Sequence, residues 1–251
     1  MPHTTLFESG GHRNILFDDF AAGGHAVQAN QHLIVHNGAG MILDPGGHKV
    51  YSKVLAATFQ TLGGAKLKYI FLSHQDPDIV AATNGWLMTT DATAYVSALW
   101  TRFVPHFGLD SLVEKRLLPI PDEGMKLDLG GQDLLIVPAH YLHSSGNFHV
   151  YDPISKILYT GDLGASINGK NTEVADFDAH IPAMEGFHKR YMASTRALRA
   201  WVRSVRGLDI SIIAPQHGQY FTGANVKRFL DWCDSLECGI ELLEPIYKIP
   251  S

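Results

Sequence analysis

The chain is short of sulfur and short of charge, and each shortage removes a class of protein. Cys233 and Cys238 are its only cysteines among 251 residues. Two neighbouring thiols make no disulfide framework, so a cytoplasmic protein with free cysteines is the simplest expectation. Charged residues are 18% of the chain and apolar ones 45%, a balance that favours a buried core over long disorder. The net charge of −5 leaves no basic footprint, so nucleic acid is not an expected partner. No apolar run approaches the roughly 20 residues of a spanning helix, so no membrane partner is expected either. Met1-Pro2-His3-Thr4 lacks a charged stretch leading into an apolar one, and no secretory leader is read there. Low-complexity linkers and short repeats are also missing, so the expectation is a single domain over residues 1–251.

What is abundant is histidine. Fourteen residues raise the prior for a metal site without naming a ligand.

Strand-like and helix-like segments alternate. Residues 26–35 and 41–43 read as strands joined through Asn37-Gly38, a hairpin turn signal. Residues 49–62 carry apolar residues at helical spacing, and Gly63-Gly64 supplies the stop. The apolar run Tyr69-Ile70-Phe71-Leu72 reads as a buried strand, followed by a helix over 79–88. Residues 134–137, a hairpin of 147–151 with 156–160, and 210–214 complete the expected strands. A polar loop is expected over 171–181, and helices over 186–205 and 224–236. This order predicts a layered α/β domain made of two sheets flanked by helices.

Potential ligands follow the predicted strands, where such domains carry their functional loops. The loop His74-Gln75-Asp76-Pro77-Asp78 places one imidazole and two carboxylates at alternate positions. Imidazole suits first-row metals, and each carboxylate shifts the preference toward harder ions. His143 stands in His140-Tyr141-Leu142-His143-Ser144-Ser145-Gly146, Asp162 follows Gly161, His217 precedes Gly218, and Asp44 ends Leu43-Asp44. Singly, each is an ordinary turn or structural residue. As an ordered set they point to metal.

With these residues the chain resembles the metallo-β-lactamase fold superfamily over nearly its whole length. The resemblance implies a four-layer αββα sandwich with a dinuclear site at one edge of the sheets. Hydrolases of that superfamily carry His-x-His-x-Asp-His; here Asp76 replaces the second His and Ile79 the last. The loop is closer to the His-x-Glu-x-Asp of flavodiiron proteins, with Asp76 one methylene shorter than that Glu. It is most similar to the His-Gln-Asp-Pro-Asp loop of the oxygen-binding diiron proteins. Carried over, the resemblance gives one iron His74, Asp76 and His143, the other Asp78 and His217, and makes Asp162 the bridge. His140 is the rival of His143, which is preferred because Ser144-Ser145-Gly146 completes a His-x-x-Gly turn. Asp44 is read as a brace, and His25, His32, His140 and His149 as groups that could orient the ligands.

The expected function is dioxygen binding at a non-haem diiron site, as a sensor or carrier. Zinc or manganese are alternative metals. No Gly-rich phosphate loop is present, and no flavin is expected in this chain. The competing readings are an oxygen or nitric oxide reductase fed by a separate electron-donor protein, a binuclear metallohydrolase, and an interaction domain that has lost its metal. A signalling partner and a homo-oligomer are compatible with the sequence. Of the aromatic residues, Trp86, Tyr95, Trp100 and Phe103 are read as core, with one or two available to wall a pocket.

Overall fold

The structure is a computed structural model that describes residues 3–17, 19–21, 27–167, 172–244, 247 and 249. The first half contains β1 (His3–Ser9), β2 (His12–Phe17), β3 (His32–His36), β4 (Ala39–Leu43), α1 (Tyr51–Leu62), β5 (Lys66–Phe71), α2 (Pro77–Val80), α3 (Thr83–Thr89), β6 (Thr93–Ser97) and β7 (Leu117–Ile120). Its strands form one seven-stranded sheet in chain order, antiparallel as far as β4 and parallel beyond it. The second half contains β8 (Met125–Leu129), β9 (Gln132–Pro138), β10 (Phe148–Asp152), β11 (Ile157–Tyr159), α4 (Phe177–Tyr191), α5 (Thr195–Val205), β12 (Ile212–Ala214), β13 (Phe221–Thr222) and α6 (Ala224–Ser235). Its sheet runs β13-β12-β11-β10-β9-β8, with β11 and β12 parallel.

Period-two alternation divides the apolar residues between layers. In β4, Met41 and Leu43 face the other sheet while Ile42 faces the α1–α3 side. In β11, Ile157 and Tyr159 face inward while Leu158 packs toward α4–α6. Helix on sheet, sheet on sheet and sheet on helix give the αββα sandwich.

Four sequence expectations are corrected. The loop expected to reach residue 181 becomes helical at Phe177, because the Asp176 carboxylate accepts from the N–H groups of Asp178 and Ala179. The single helix expected over 186–205 is two helices. Met192 turns to extended backbone, and Ser194 starts α5 by accepting from Ala197 N–H. The helix expected over 79–88 is likewise divided between α2 and α3. Of the strand expected over 26–35, residue 26 lies outside the described residues, and among the described ones only His32 onward joins the ladder; Asn30 binds the 215–218 loop instead, its side chain donating to the Pro215 and Gly218 carbonyls at 2.9 Å each.

A polar cluster lies between the sheets where β2 meets β10. Asp152 Oδ2 accepts from His12 Nε2 at 2.6 Å, Asn14 Nδ2 at 2.7 Å and Ser155 Oγ at 2.8 Å. Burial pushes the Asp152 carboxyl up, but these donors outweigh it and hold its pKa below the ordinary value. A lowered carboxyl pKa stabilises the fold above about pH 4, and the contribution is lost as pH falls through the folded-state value. Asp152→Ala leaves three buried donors without their acceptor. Urea denaturation at pH 7 should show a loss of about 3–5 kcal/mol; an unchanged midpoint would mean the cluster is energetically neutral.

Candidate metal centre

Five loops meet at the edge where β4, β5, β9, β11 and β12 end. The chain enters the first candidate loop at Ser73, whose N–H donates to Asp44 Oδ1 at 2.8 Å. Ser73 Oγ lies 2.9 Å from His74 Nδ1, which leaves Nε2 to face the site. The Ser73 carbonyl accepts from Phe148 N–H at 3.0 Å. That bond joins the two sheets beside the loop carrying His143. Asp162 sits on the turn after β11, and Gln216 N–H donates to the Gly161 carbonyl at 2.7 Å, drawing the His217 loop alongside. Gly218 is required here: its φ is +78°, and a Cβ would lie 1.9 Å from Ser166 Oγ.

The side chains converge on Asp162. Its Oδ1 lies 3.8 Å from His74 Nε2 and 3.4 Å from His217 Nε2; its Oδ2 lies 3.5 Å from His143 Nε2. Asp76 Oδ2 is 3.2 Å from His143 Nε2 and 3.7 Å from His74 Nε2. Asp78 Oδ2 is 3.5 Å from His217 Nε2. The donor atoms of His74, Asp76, His143 and Asp162 all fall within 4.8 Å of one another. Asp78 and His217 form a second pair, which meets Asp162 through His217. His217 donates its Nδ1–H to the Gln28 carbonyl, so its Nε2 is free for the site.

Burial pushes Asp162 up, but His74, His217 and His143 outweigh it and hold it well below the usual carboxylate range. Asp76 is held low in the same way by His143 and His74. Burial opposes protonation of His217, yet Asp162 beside it raises the pKa to about 9. Asp78, facing a single imidazole, is raised by burial.

The donors fit a cation. His74 Nε2 and Asp162 Oδ1 are buried without a hydrogen-bond partner, an arrangement native structures avoid unless something else satisfies the groups. Metal–nitrogen and metal–oxygen bonds of about 2.0–2.2 Å place neighbouring ligand atoms roughly 3 Å apart, close to the separations found here. The set is imidazole and carboxylate with no thiolate, which suits iron, zinc or manganese.

The remaining candidates lie further out. Asp44 braces Ser73, and burial pushes its carboxyl up to about 6. His32 reaches the Pro215 carbonyl at 3.4 Å, and burial lowers it to about 4. His149 is buried against Trp201; burial, then His74, lowers it to about 3. His140 turns away, its Nε2 2.7 Å from the Asp122 carbonyl, so His143 is the one that joins the cluster. Ile79 is fully buried in the α1–α3 core. His25 lies outside the described residues.

A cavity of about 560 Å³ opens over the cluster, lined by Asp76, Asp78, His143, Asp162 and His217 and walled by Ile167, Phe187 and Tyr191. Phe187 and Tyr191 stack at 4.7 Å and 18°, and both approach the His143 ring. None of Trp86, Tyr95, Trp100 and Phe103 lines this cavity. The wall comes instead from α4, whose Phe187 and Tyr191 sit at i and i+4. That spacing was the available signal.

Sequence reasoning also missed His188. It is buried, donates Nδ1–H to the Met184 carbonyl and accepts Gly164 N–H on Nε2 at 2.8 Å. It thereby pins the turn that carries Asp162.

The fold and this convergence define the chain as a metallo-β-lactamase-like protein with a polar metal-type site. It matches the family model of the ODP family beta lactamases over residues 27–218 and belongs to that family. It is similar to a solved structure of the peroxy diiron species of the chemotaxis sensor ODP, at 39% identity and a TM-score of 0.87, covering 98% of this chain and 100% of that one. The apo state of the chemotaxis sensor ODP from T. denticola matches at 39% identity and a TM-score of 0.85, over 98% and 99% of the two chains. The flavodiiron protein from Giardia intestinalis shares the fold at 15% identity and a TM-score of 0.75, over 92% of this chain and 58% of that one. A comparison with curated proteins gives no match. Among the described residues, no helix is long and apolar enough to cross a membrane.

His188→Leu keeps the volume and removes the acceptor of a buried backbone N–H. Urea denaturation should report a loss of about 1–3 kcal/mol. Parent-like stability would show that Gly164 finds another partner.

Proposed function

We propose that this protein binds dioxygen at a non-haem diiron site and acts as an oxygen sensor. The observation that carries the reading is the buried Asp162 carboxylate, which presents one oxygen to His143 and the other to His74 and His217. The carboxylate thus meets His74 and His143 of one ligand group and His217 of the other, a position suited to bridging two cations. His74, Asp76 and His143 would hold one iron, and Asp78 with His217 the other. Iron, when bound, supplies the electrons with which dioxygen is held.

The chain's own residues do the rest. Ile79, buried in the core, brings no donor, so the Asp78–His217 side has fewer protein ligands than its neighbour. Phe187, Tyr191 and Ile167 present apolar surface at the mouth, which suits an uncharged ligand. The replacement of two imidazoles by Asp76 and Ile79 weighs against a binuclear zinc hydrolase. The relatives at 39% identity are structures of a chemotaxis sensor, one of them a diiron species. That kinship supports a signalling partner over an electron donor, and a cytoplasmic location goes with it.

Anaerobic loading should give about two irons per chain, as a dinuclear site requires, and a visible absorption band should develop in air. Two bound irons with an unchanged spectrum would sink the oxygen-binding reading. Asp162→Ala should lose most of its iron on gel filtration; parent-like retention would mean that Asp162 does not bridge.

A further inference from the structure

Gln75 stands between two candidate ligands, and its side chain joins two loops. Its Nε2 donates to Asp76 Oδ1 at 2.9 Å, and its Oε1 accepts from Ser144 Oγ at 2.6 Å. Ser144 is buried and adjoins His143; its Oγ also accepts from Gly146 N–H at 3.3 Å. The direction of every proton in this chain follows from one group. An ionised carboxylate only accepts, so the amide must turn its NH₂ to Asp76. Its carbonyl then faces Ser144, whose hydroxyl must donate, and the hydroxyl lone pair takes the Gly146 N–H.

The consequence falls on Asp76. Its Oδ1 is occupied by Gln75, while Oδ2 faces His143 and His74. Asp78 is treated differently: the Gln216 amide meets it at 3.5 Å on Oδ2, the same oxygen that faces His217. The two carboxylates of one pentapeptide are thus set up in different ways.

We propose that Gln75, oriented by Ser144, is a positioning residue that occupies Oδ1 of Asp76 and presents Oδ2 alone to the metal. The relay ties the loop after β5 to the loop after β9 through side chains, so His74, Asp76 and His143 are assembled before a cation arrives. Preorganised ligands bind more tightly because less ordering remains to be done, and partners of this kind are worth about 10–100-fold in metal affinity. The inference rests on the metal-binding reading of the site, not on dioxygen.

Cobalt(II) titrated anaerobically into the full chain tests it, because its visible spectrum reports coordination number. Gln75→Met keeps the length and removes both hydrogen bonds. Ser144→Ala removes the orienting hydroxyl, and Ser144→Thr restores it. We expect Gln75→Met and Ser144→Ala to bind cobalt at least about tenfold more weakly. The spectrum per bound cobalt should change as Oδ1 becomes free to chelate, and Ser144→Thr should recover both parent values. Parent-like affinity and spectrum in Gln75→Met and Ser144→Ala overturn the role of Gln75. Weaker binding with an unchanged spectrum, or a Ser144→Thr protein no better than Ser144→Ala, also overturns it, since general loosening would do the same. A parent that takes up one cobalt per chain overturns the dinuclear reading alone; the comparison per bound ion still decides the role of Gln75.

Discussion

The site depends on a single buried carboxylate. Asp162 is nearly closed to solvent and faces imidazoles from three other loops. A buried charge needs opposite charge or hydrogen bonds around it, and Asp162 faces imidazoles from segments far apart in the chain. That requirement explains the loop geometry. Gly161 and Gly164 take positive φ on either side of it, His188 holds Gly164, and the Gln216–Gly161 bond brings His217 within reach. The carboxylates of this edge raise the pKa values of both His74 and His217 against the opposing effect of burial.

The sandwich sets up this edge by keeping polarity at its two ends. Met41, Phe71, Val150 and Ile157 pack between the sheets. At one end, His32 and His149 support the metal-type cluster. At the other, His12, Asn14 and Asp152 form a separate hydrogen-bonded group. Between the ends lies Tyr159, which accepts from Asn14 at 2.9 Å and packs its ring 4.9 Å from that of His32. Polar groups inside the sandwich are thus gathered into clusters, and the apolar middle sets the sheet spacing.

The legible part of this structure was the part written locally. Each potential ligand follows an apolar strand within a few residues, so strand pattern and residue type picked out His74, Asp76, Asp78, His143, Asp162 and His217 as candidates, and the resemblance to the superfamily implied that they share one edge. The sheets were legible for the same reason where strands are buried, as in β4, β5 and β10. What escaped depends on contacts across space. Phe187 and Tyr191 read as ordinary helix residues until α4 is laid over the His143 loop. The break between α4 and α5 hides because apolar spacing continues through Met192, and only the capping by Ser194 reveals it. His188 looks like a core histidine and is one, yet its bond to Gly164 N–H makes it part of the frame of the site.

Asymmetry is the chemical content of that frame. One side of Asp162 gathers two imidazoles and a carboxylate whose second oxygen is engaged by Gln75. The other gathers one imidazole and one more exposed carboxylate, with Ile79 turned into the core. Two equivalent cages would hold two cations alike and leave neither open. An unequal pair of sites would differ in charge and in ligand number, and a small molecule would enter at the poorer side without displacing a protein donor. The apolar wall of Phe187 and Tyr191 stands over the His143 side, and Asp78 borders the cavity from the other. The pair of substitutions that separates the chain from the hydrolases falls on this contrast: Asp76 sets a carboxylate oxygen 3.7 Å from His74 Nε2 and 3.2 Å from His143 Nε2, while Ile79 is buried in the core and brings no donor.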